Sequence, residues 1–158
     1  MEMEMEKEAP FQAVITPNIV TLIMAVIIVI TINIQYRVGG WSGYALFWAS
    51  FLAIFWGIVV PVAVLILGYI GKAIYKDNEY ITLSFGIIFT IISSVLSAIS
   101  TYWVIREVIE LVDDIGYYGV IIIVCYVVLI VGIATVLSMQ IKSLIGGIDL
   151  IKYHQAYE

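Results

Sequence analysis

One histidine, one cysteine and three prolines in 158 residues leave little from which to build reactive chemistry. Cys125 lies in an apolar stretch and has no second cysteine with which to close an intramolecular disulfide. His154 falls near the C-terminus, so no apolar run contains an imidazole for axial haem ligation, a histidine copper site or a membrane metalloprotease. Acyl transfer lacks a pairing of nucleophile with histidine base, and no glycine-rich turn introduces a phosphate-binding helix. Seven Lys and Arg with no basic run give nucleic acid almost nothing to bind. Inside the long apolar runs there is no Asp, Glu, Lys, Arg or His away from the ends, so the usual signature of a proton relay or ion path in the bilayer is missing. The sequence therefore predicts no catalytic residue, no cofactor and no metal site.

What is present is hydrocarbon. Hydrophobic residues make up 63% of the chain and charged residues 12%, and the mean hydropathy of +1.11 exceeds what a soluble domain can hide in its core. The net charge of -5 is no uniform acidic surface, because Glu2, Glu4, Glu6 and Glu8 crowd the start and Glu107, Glu110, Asp113 and Asp114 share one later segment. Residues 1–14 read as a flexible acidic tail. An acidic start also lacks the positive region of a cleaved secretory signal.

Four apolar runs follow within a domain at 15–139, with predicted transmembrane helices at about 17–34, 44–70, 80–105 and 115–139. Thr16-Pro17 starts the first, since threonine caps free amides and proline has no donor to orphan. Its 18 residues rise roughly 27 Å, just enough to cross the hydrocarbon. Gln35-Tyr36-Arg37 and Gly39-Gly40 mark its exit and turn. The second run is longer than a bilayer requires, and Pro61 near its middle removes a backbone donor and predicts a kink. Lys72, Lys76, Asp77, Asn78 and Glu79 form the polar link to the third. In the fourth, ten Val, Ile or Leu residues between Val120 and Val131 alone favour insertion by about 3 to 6 kcal/mol. Many are β-branched, but uniform apolar runs of this length must satisfy their backbone internally, which selects helices over barrel strands. The fold class is thus an all-α integral membrane protein, an antiparallel bundle of four transmembrane helices with short loops. Four crossings put both termini on one side, and Lys7, Lys72, Lys76, Lys142 and Lys152 against Arg37 and Arg106 make that side cytoplasmic, in the cell membrane.

Small residues recur every four positions on the second run, Ala45, Ala49, Ala53 and Gly57 continuing to Pro61. The third answers with Gly86, Thr90, Ser94 and Ala98 on one ridge and Ser93, Ser97 and Thr101 beside it. Lipid gives helices no hydrophobic reason to associate, so close approach over small side chains and interhelical hydroxyl bonds must supply the attraction, and the two runs should form a tight hairpin. The hydroxyl stripe alternatively lines a hydrated path or a polar pocket.

Tyr44, Trp48, Phe51 and Phe55 make an aromatic stripe on the second run, flanked by Trp41, Phe47 and Trp56. Trp41 and Tyr44 suit the headgroup belt. The deeper rings face lipid, or dock against helices of another protein or a flat hydrophobic molecule. After the third run, Arg106, Glu107, Glu110, Asp113 and Asp114 fall on one helical face, with Val104, Ile105, Val108, Ile109 and Val112 opposite. This predicts an amphipathic extension at the membrane surface, with an Arg106–Glu110 pair one turn apart. Glu107, Glu110 and Asp114 are oxygen donors on a shared face, but a solvated or partner-docking face is the commoner use of such a pattern. Residues 140–158, with Ile141, Leu144, Ile145, Ile148 and Ile151 interrupted by Gly146-Gly147, read as an amphipathic C-terminal tail, an interfacial foot or a frayed continuation of the fourth run, in which His154 is an ordinary surface side chain.

The pattern predicts a small non-catalytic accessory or scaffolding subunit of a larger membrane complex, respiratory or otherwise energy-converting. Its partners would be lipids and other membrane subunits. A homo-oligomeric pore or transporter component and a viral or envelope structural protein are the alternatives.

Overall fold

The computed structural model describes residues 9–39, 43–78, 80–114, 116 and 119–157, and of residues 39, 114 and 157 the backbone alone. Glu2, Glu4, Glu6, Lys7, Glu8, Gly40, Trp41 and Glu79 lie outside the described residues, as does the Asp114 side chain. The described chain is all-helical: α1 Gln12–Gly39, α2 Gly43–Ile54, a π turn Phe55–Val59, α3 Val60–Ile74, α4 Ile81–Asp114 and α5 Val120–Tyr157. Taking α2, the π turn and α3 as one rod, four helices are long and apolar enough to cross a membrane.

All four rods run past their predicted spans, and two of them far past the thickness of a bilayer. The 34 residues of α4 and 38 of α5 rise roughly 50 and 57 Å, well beyond the roughly 30 Å of a hydrocarbon core. The change of residue type at 139 coincides with no break: α5 runs through the expected tail to Tyr157. The described part of the N-terminal segment is no loose tail either, because Ala9, Phe11 and Val14 are buried and Gln12 opens α1.

Burial follows a seven-residue repeat. Buried positions recur at Val14, Asn18, Thr21, Ala25, Ile28, Ile32 and Gln35 on α1, and at Thr82, Gly86, Phe89, Ser93, Leu96, Ser100 and Glu107 on α4. On α5 they are Ile122, Tyr126, Leu129, Ile133, Val136, Gln140, Ser143, Gly147, Leu150 and His154. Steps of three and four average 3.5 residues and keep one seam of each helix turned to its neighbours over many turns. Leu, Ile and Val dominate the outside as well, which is the expected distribution where the solvent is lipid.

The close contacts differ from the predicted hairpin. The most extensive packing is α4 on α5 and α1 on α5, whereas α3 touches α4 sparingly and α2 makes at most marginal contact with it. Each small-residue ridge has found a different partner. A Cβ at Gly57 would lie 2.6 Å from the Cβ of Ala25, so the α2 ridge closes on α1. A Cβ at Gly86 would lie 2.9 Å from the carbonyl oxygen of Gly147, so the α4 ridge closes on α5. Only the start of the latter ridge takes part: Gly86 is buried and Thr90 half-buried, while Ser94 and Ala98 are exposed. A four-residue step overruns the 3.6-residue turn, so such a ridge rotates off the contact within two turns.

Gly146-Gly147, which interrupts the apolar pattern in the sequence, is where α5 is clamped from both sides. A Cβ on Gly146 would meet the Ala13 carbonyl oxygen of α1 at 2.9 Å, and one on Gly147 the Thr90 backbone nitrogen of α4 at 2.9 Å.

Where the sequence predicted a kink at Pro61, the helix carries a π turn just before it. Proline has no N–H for the carbonyl four residues back and its ring crowds that carbonyl. The preceding turn widens, and the Val60 N–H donates to the Phe55 carbonyl, five residues away. The extra residue re-phases the inward face, which steps by fours through Ala49, Ala53, Gly57 and Pro61 before returning to threes and fours at Val64, Gly68 and Gly71.

Candidate functional site: a polar seam and an aromatic cleft

Polar side chains of the seam form a buried network between α1, α4 and α5. The Asn18 amide donates to the Ser143 hydroxyl at 3.0 Å and to the Val14 carbonyl at 2.8 Å. Ser93 donates to Ser143 at 2.9 Å. The Gln140 amide reaches the Thr21 hydroxyl at 2.8 Å and the Asn18 amide oxygen at 3.3 Å. Four of these five residues carried no signal in the apolar-run reading, because Asn18 and Thr21 lie near the start of the first run and Gln140 and Ser143 beyond the end of the fourth. Their seven-residue companions on each helix were the available sign.

Two other hydroxyls of the α4 stripe bond within their own helix. Thr90 donates to the Gly86 carbonyl at 2.7 Å and Thr101 to the Ser97 carbonyl at 2.8 Å, each one turn back along the helix. Ser97 is half-buried and Thr101 exposed. The Gln140 amide oxygen is buried without a hydrogen-bond partner. Gln140→Leu is expected to lower stability in bicelles by about 1 kcal/mol, the scale of interhelical hydrogen bonds in lipid. Reversible unfolding of the two proteins by steric trapping measures this, and a more stable variant would show that the unpaired oxygen outweighs the two bonds.

The larger feature lies at the other end of α4. There α2 leans on α1 and leaves a cleft of about 450 Å³ against α4. Tyr36 of α1, Trp48 of α2, Trp56 of the π turn, and Tyr102 and Trp103 of α4 form its aromatic walls. Ala45, Ala49, Leu52 and Ile99 fill the spaces between them, and Arg106, Glu107 and Glu110 close the polar side. A narrow apolar slot of about 40 Å³ adjoins it, sharing Trp56, Ile99 and Trp103 and reaching inward to Leu96 and Ser100. The small residues Ala45 and Ala49, predicted to carry helix packing, here give the cleft its width.

The charged segment divides unexpectedly. Arg106 Nε donates to Glu110 Oε1 at 3.0 Å, the predicted pair one turn apart. Glu107 is not on a solvated face: it is 8% exposed, and its Oε2 has no hydrogen-bond partner. The Trp103 indole N–H lies within electrostatic reach of the same carboxylate. Ile105, Val108, Ile109 and Val112 are exposed, and so are Arg106 and Asp113. Of the predicted polar face, Glu107 alone among the described side chains turns inward, and apolar residues opposite it are open as in a lipid-facing helix.

On α2 the aromatic stripe forms a chain of ring contacts. Trp48 meets Tyr44 at 6.2 Å and Phe51 at 5.9 Å, and Phe51 stacks on Phe55 at 6.3 Å. Trp48, Phe51 and Phe55 are all exposed. His154 lies at the opposite end of the molecule, buried and 5.8 Å from the Tyr80 ring, and so is no surface side chain. Among the described residues no group of three or more His, Cys, Asp or Glu is placed to hold a metal ion. No family model, no curated protein and no solved structure matches the chain.

Proposed function

We propose that the chain is a non-catalytic subunit that docks within a larger membrane assembly of the cell membrane, folded as an antiparallel four-helix bundle with short connections and both termini cytoplasmic. The contact order supports the antiparallel arrangement, since Ala13 meets Gly146 while Ile28, farther along α1, meets the earlier Gly132. Lys72, Lys76, Lys142 and Lys152 fall toward the end that holds both termini, and Arg37 and Arg106 toward the other, which supports the orientation.

The observation that carries the docking reading is the aromatic ladder on α2. Phe47, Phe51 and Phe55 are stacked with planes 16° and 12° apart. Their outward faces are open. Rings already held by one another lose little freedom on meeting a partner, and large rigid side chains provide the contact area that helix association in lipid depends on. The polar side chains of the seam, by contrast, are spent on holding this chain's own helices together.

Extraction in mild detergent followed by native mass spectrometry is expected to retain foreign subunits in fixed ratio. The double variant Phe51→Leu, Phe55→Leu is expected to lose them while remaining folded. A wild-type protein recovered solely as monomer or homo-oligomer would overturn the proposal.

A further inference from the structure

The geometry points to a second role, independent of docking: the cleft between α2 and α4 binds a hydrophobic ammonium cation, with Glu107 as its counter-ion. The charge balance of the cleft wall is the first argument. Arg106 and Glu110 neutralise one another at 3.0 Å, and Arg106 stays largely exposed while it does so. Glu107 is left as the one acid of the cleft wall with no ion pair among the described residues, more than nine-tenths buried, with one carboxylate oxygen unpartnered. A buried carboxylate with no cation beside it is costly, and a single positive charge entering the cleft supplies what the fold omits.

The walls select the kind of cation. Trp48, Trp56 and Trp103 present three indoles to the cleft, and indole faces attract ammonium groups while offering metal ions nothing to coordinate. Calcium would demand six to eight oxygens, which this wall does not provide. The volume of about 450 Å³ lies within the range of small-molecule sites. The adjoining apolar slot continues to Leu96 and Ser100, and it takes an alkyl chain trailing from the charged group. Because α2 and α4 are not closed on one another, the ligand enters from the side of the molecule that faces lipid, where amphiphilic cations concentrate. The same ammonium chemistry is offered by a phospholipid headgroup or by a free amphiphile.

Titration of the full chain with octyltrimethylammonium bromide, in nanodiscs of phosphatidylglycerol, tests this through tryptophan fluorescence. Three of the four tryptophans line the cleft. Saturable binding is expected, at least tenfold tighter than that of 2,2-dimethyldecane, the neutral carbon isostere, and at least tenfold weaker in Glu107→Gln. Equal binding of the isostere, or binding by the variant within threefold of wild type, would overturn the assignment. The isostere comparison uses the wild-type protein and decides the matter even where the variant does not fold. Repeating the titration in discs containing phosphatidylcholine separates the sources. A curve displaced in proportion to the phosphatidylcholine fraction supports the site with a lipid headgroup as occupant, and an undisplaced curve supports it with a free cation.

Discussion

Gly147→Leu is expected to cost about 3 kcal/mol of stability, the upper end of the range for overpacking, and to reduce the yield of folded protein sharply. The first atom of the new side chain already lies 2.7 Å from the Thr90 hydroxyl and 2.9 Å from the Thr90 backbone nitrogen. Nitrogen of a helical backbone cannot swing aside as a side-chain tip can, so α4 and α5 must separate. Moving them apart also disturbs the facing contact at Gly86, whose neighbour is the Gly147 carbonyl oxygen, and strains the Ser93–Ser143 bond at 2.9 Å one turn away. Nor can α5 retreat, because Gly146 is pressed against the Ala13 carbonyl of α1 on the other side. Gly116→Ala provides the control, since nothing lies within 4 Å of a Cβ there, and a change of at most about 0.5 kcal/mol is expected. Steric-trapping measurements in bicelles compare the three proteins. A Gly147→Leu protein as stable as the control would show that the helices do not approach at this position.

The same glycines show how much of the molecule was legible in its sequence. Run length and hydropathy were sufficient for four membrane-length helices, because burying unpaired backbone in lipid is prohibitive and helices alone resolve it over such lengths. Helix partners were not legible from small-residue spacing. Gly57 marks a close approach, to α1, but a ridge says that something comes near and not which helix does. The ridge on α4 belonged to α5, whose matching signal, Gly146-Gly147, looked like a helix-weakening interruption in a tail. A repeat of seven would have carried more information: Gly86, Ser93, Ser100 and Glu107 are spaced at sevens and are all buried. In water polar residues at such intervals mark the exposed face, whereas in lipid they mark the interior. That inversion also explains Glu107. Read as one of five polar residues on a solvated helix face, it belongs with Arg106 and Glu110; read by its seven-residue phase, it belongs with Ser100 and faces inward. The cleft itself had no linear signature, since Tyr36, Trp48, Trp56 and Trp103 come from separate helical segments and meet only because α2 leans away from α4.

Phe89→Ala is expected to cost about 2 kcal/mol, less than the same change in a water-soluble core. Phe89 is fully buried in a cluster with Phe11, Val14, Ile15, Val64 and Leu150, and its ring meets Phe85 edge-on at 5.9 Å. In a soluble protein such a truncation costs about 3 to 5 kcal/mol, the sum of a lost transfer from water and a cavity. Transfer accounts for about 1.5 to 3 kcal/mol of that for a large apolar side chain. Where the separated helices remain in hydrocarbon, a phenyl ring leaving the cluster meets lipid tails as apolar as the cluster itself, so the transfer part vanishes and the lost packing remains. Ile91, on the same helix and 59% exposed, loses neither packing nor transfer when cut to alanine, and its expected cost is within about 0.5 kcal/mol. Unfolding free energies of both variants in bicelles test the argument. A loss of 4 kcal/mol or more at Phe89, roughly the full water-soluble value, would mean that the ring is exposed to water on unfolding and that α4 does not stay in the membrane. A loss near zero would mean that Phe11, Phe85 and Phe89 do not pack as one cluster between α1, α4 and α5.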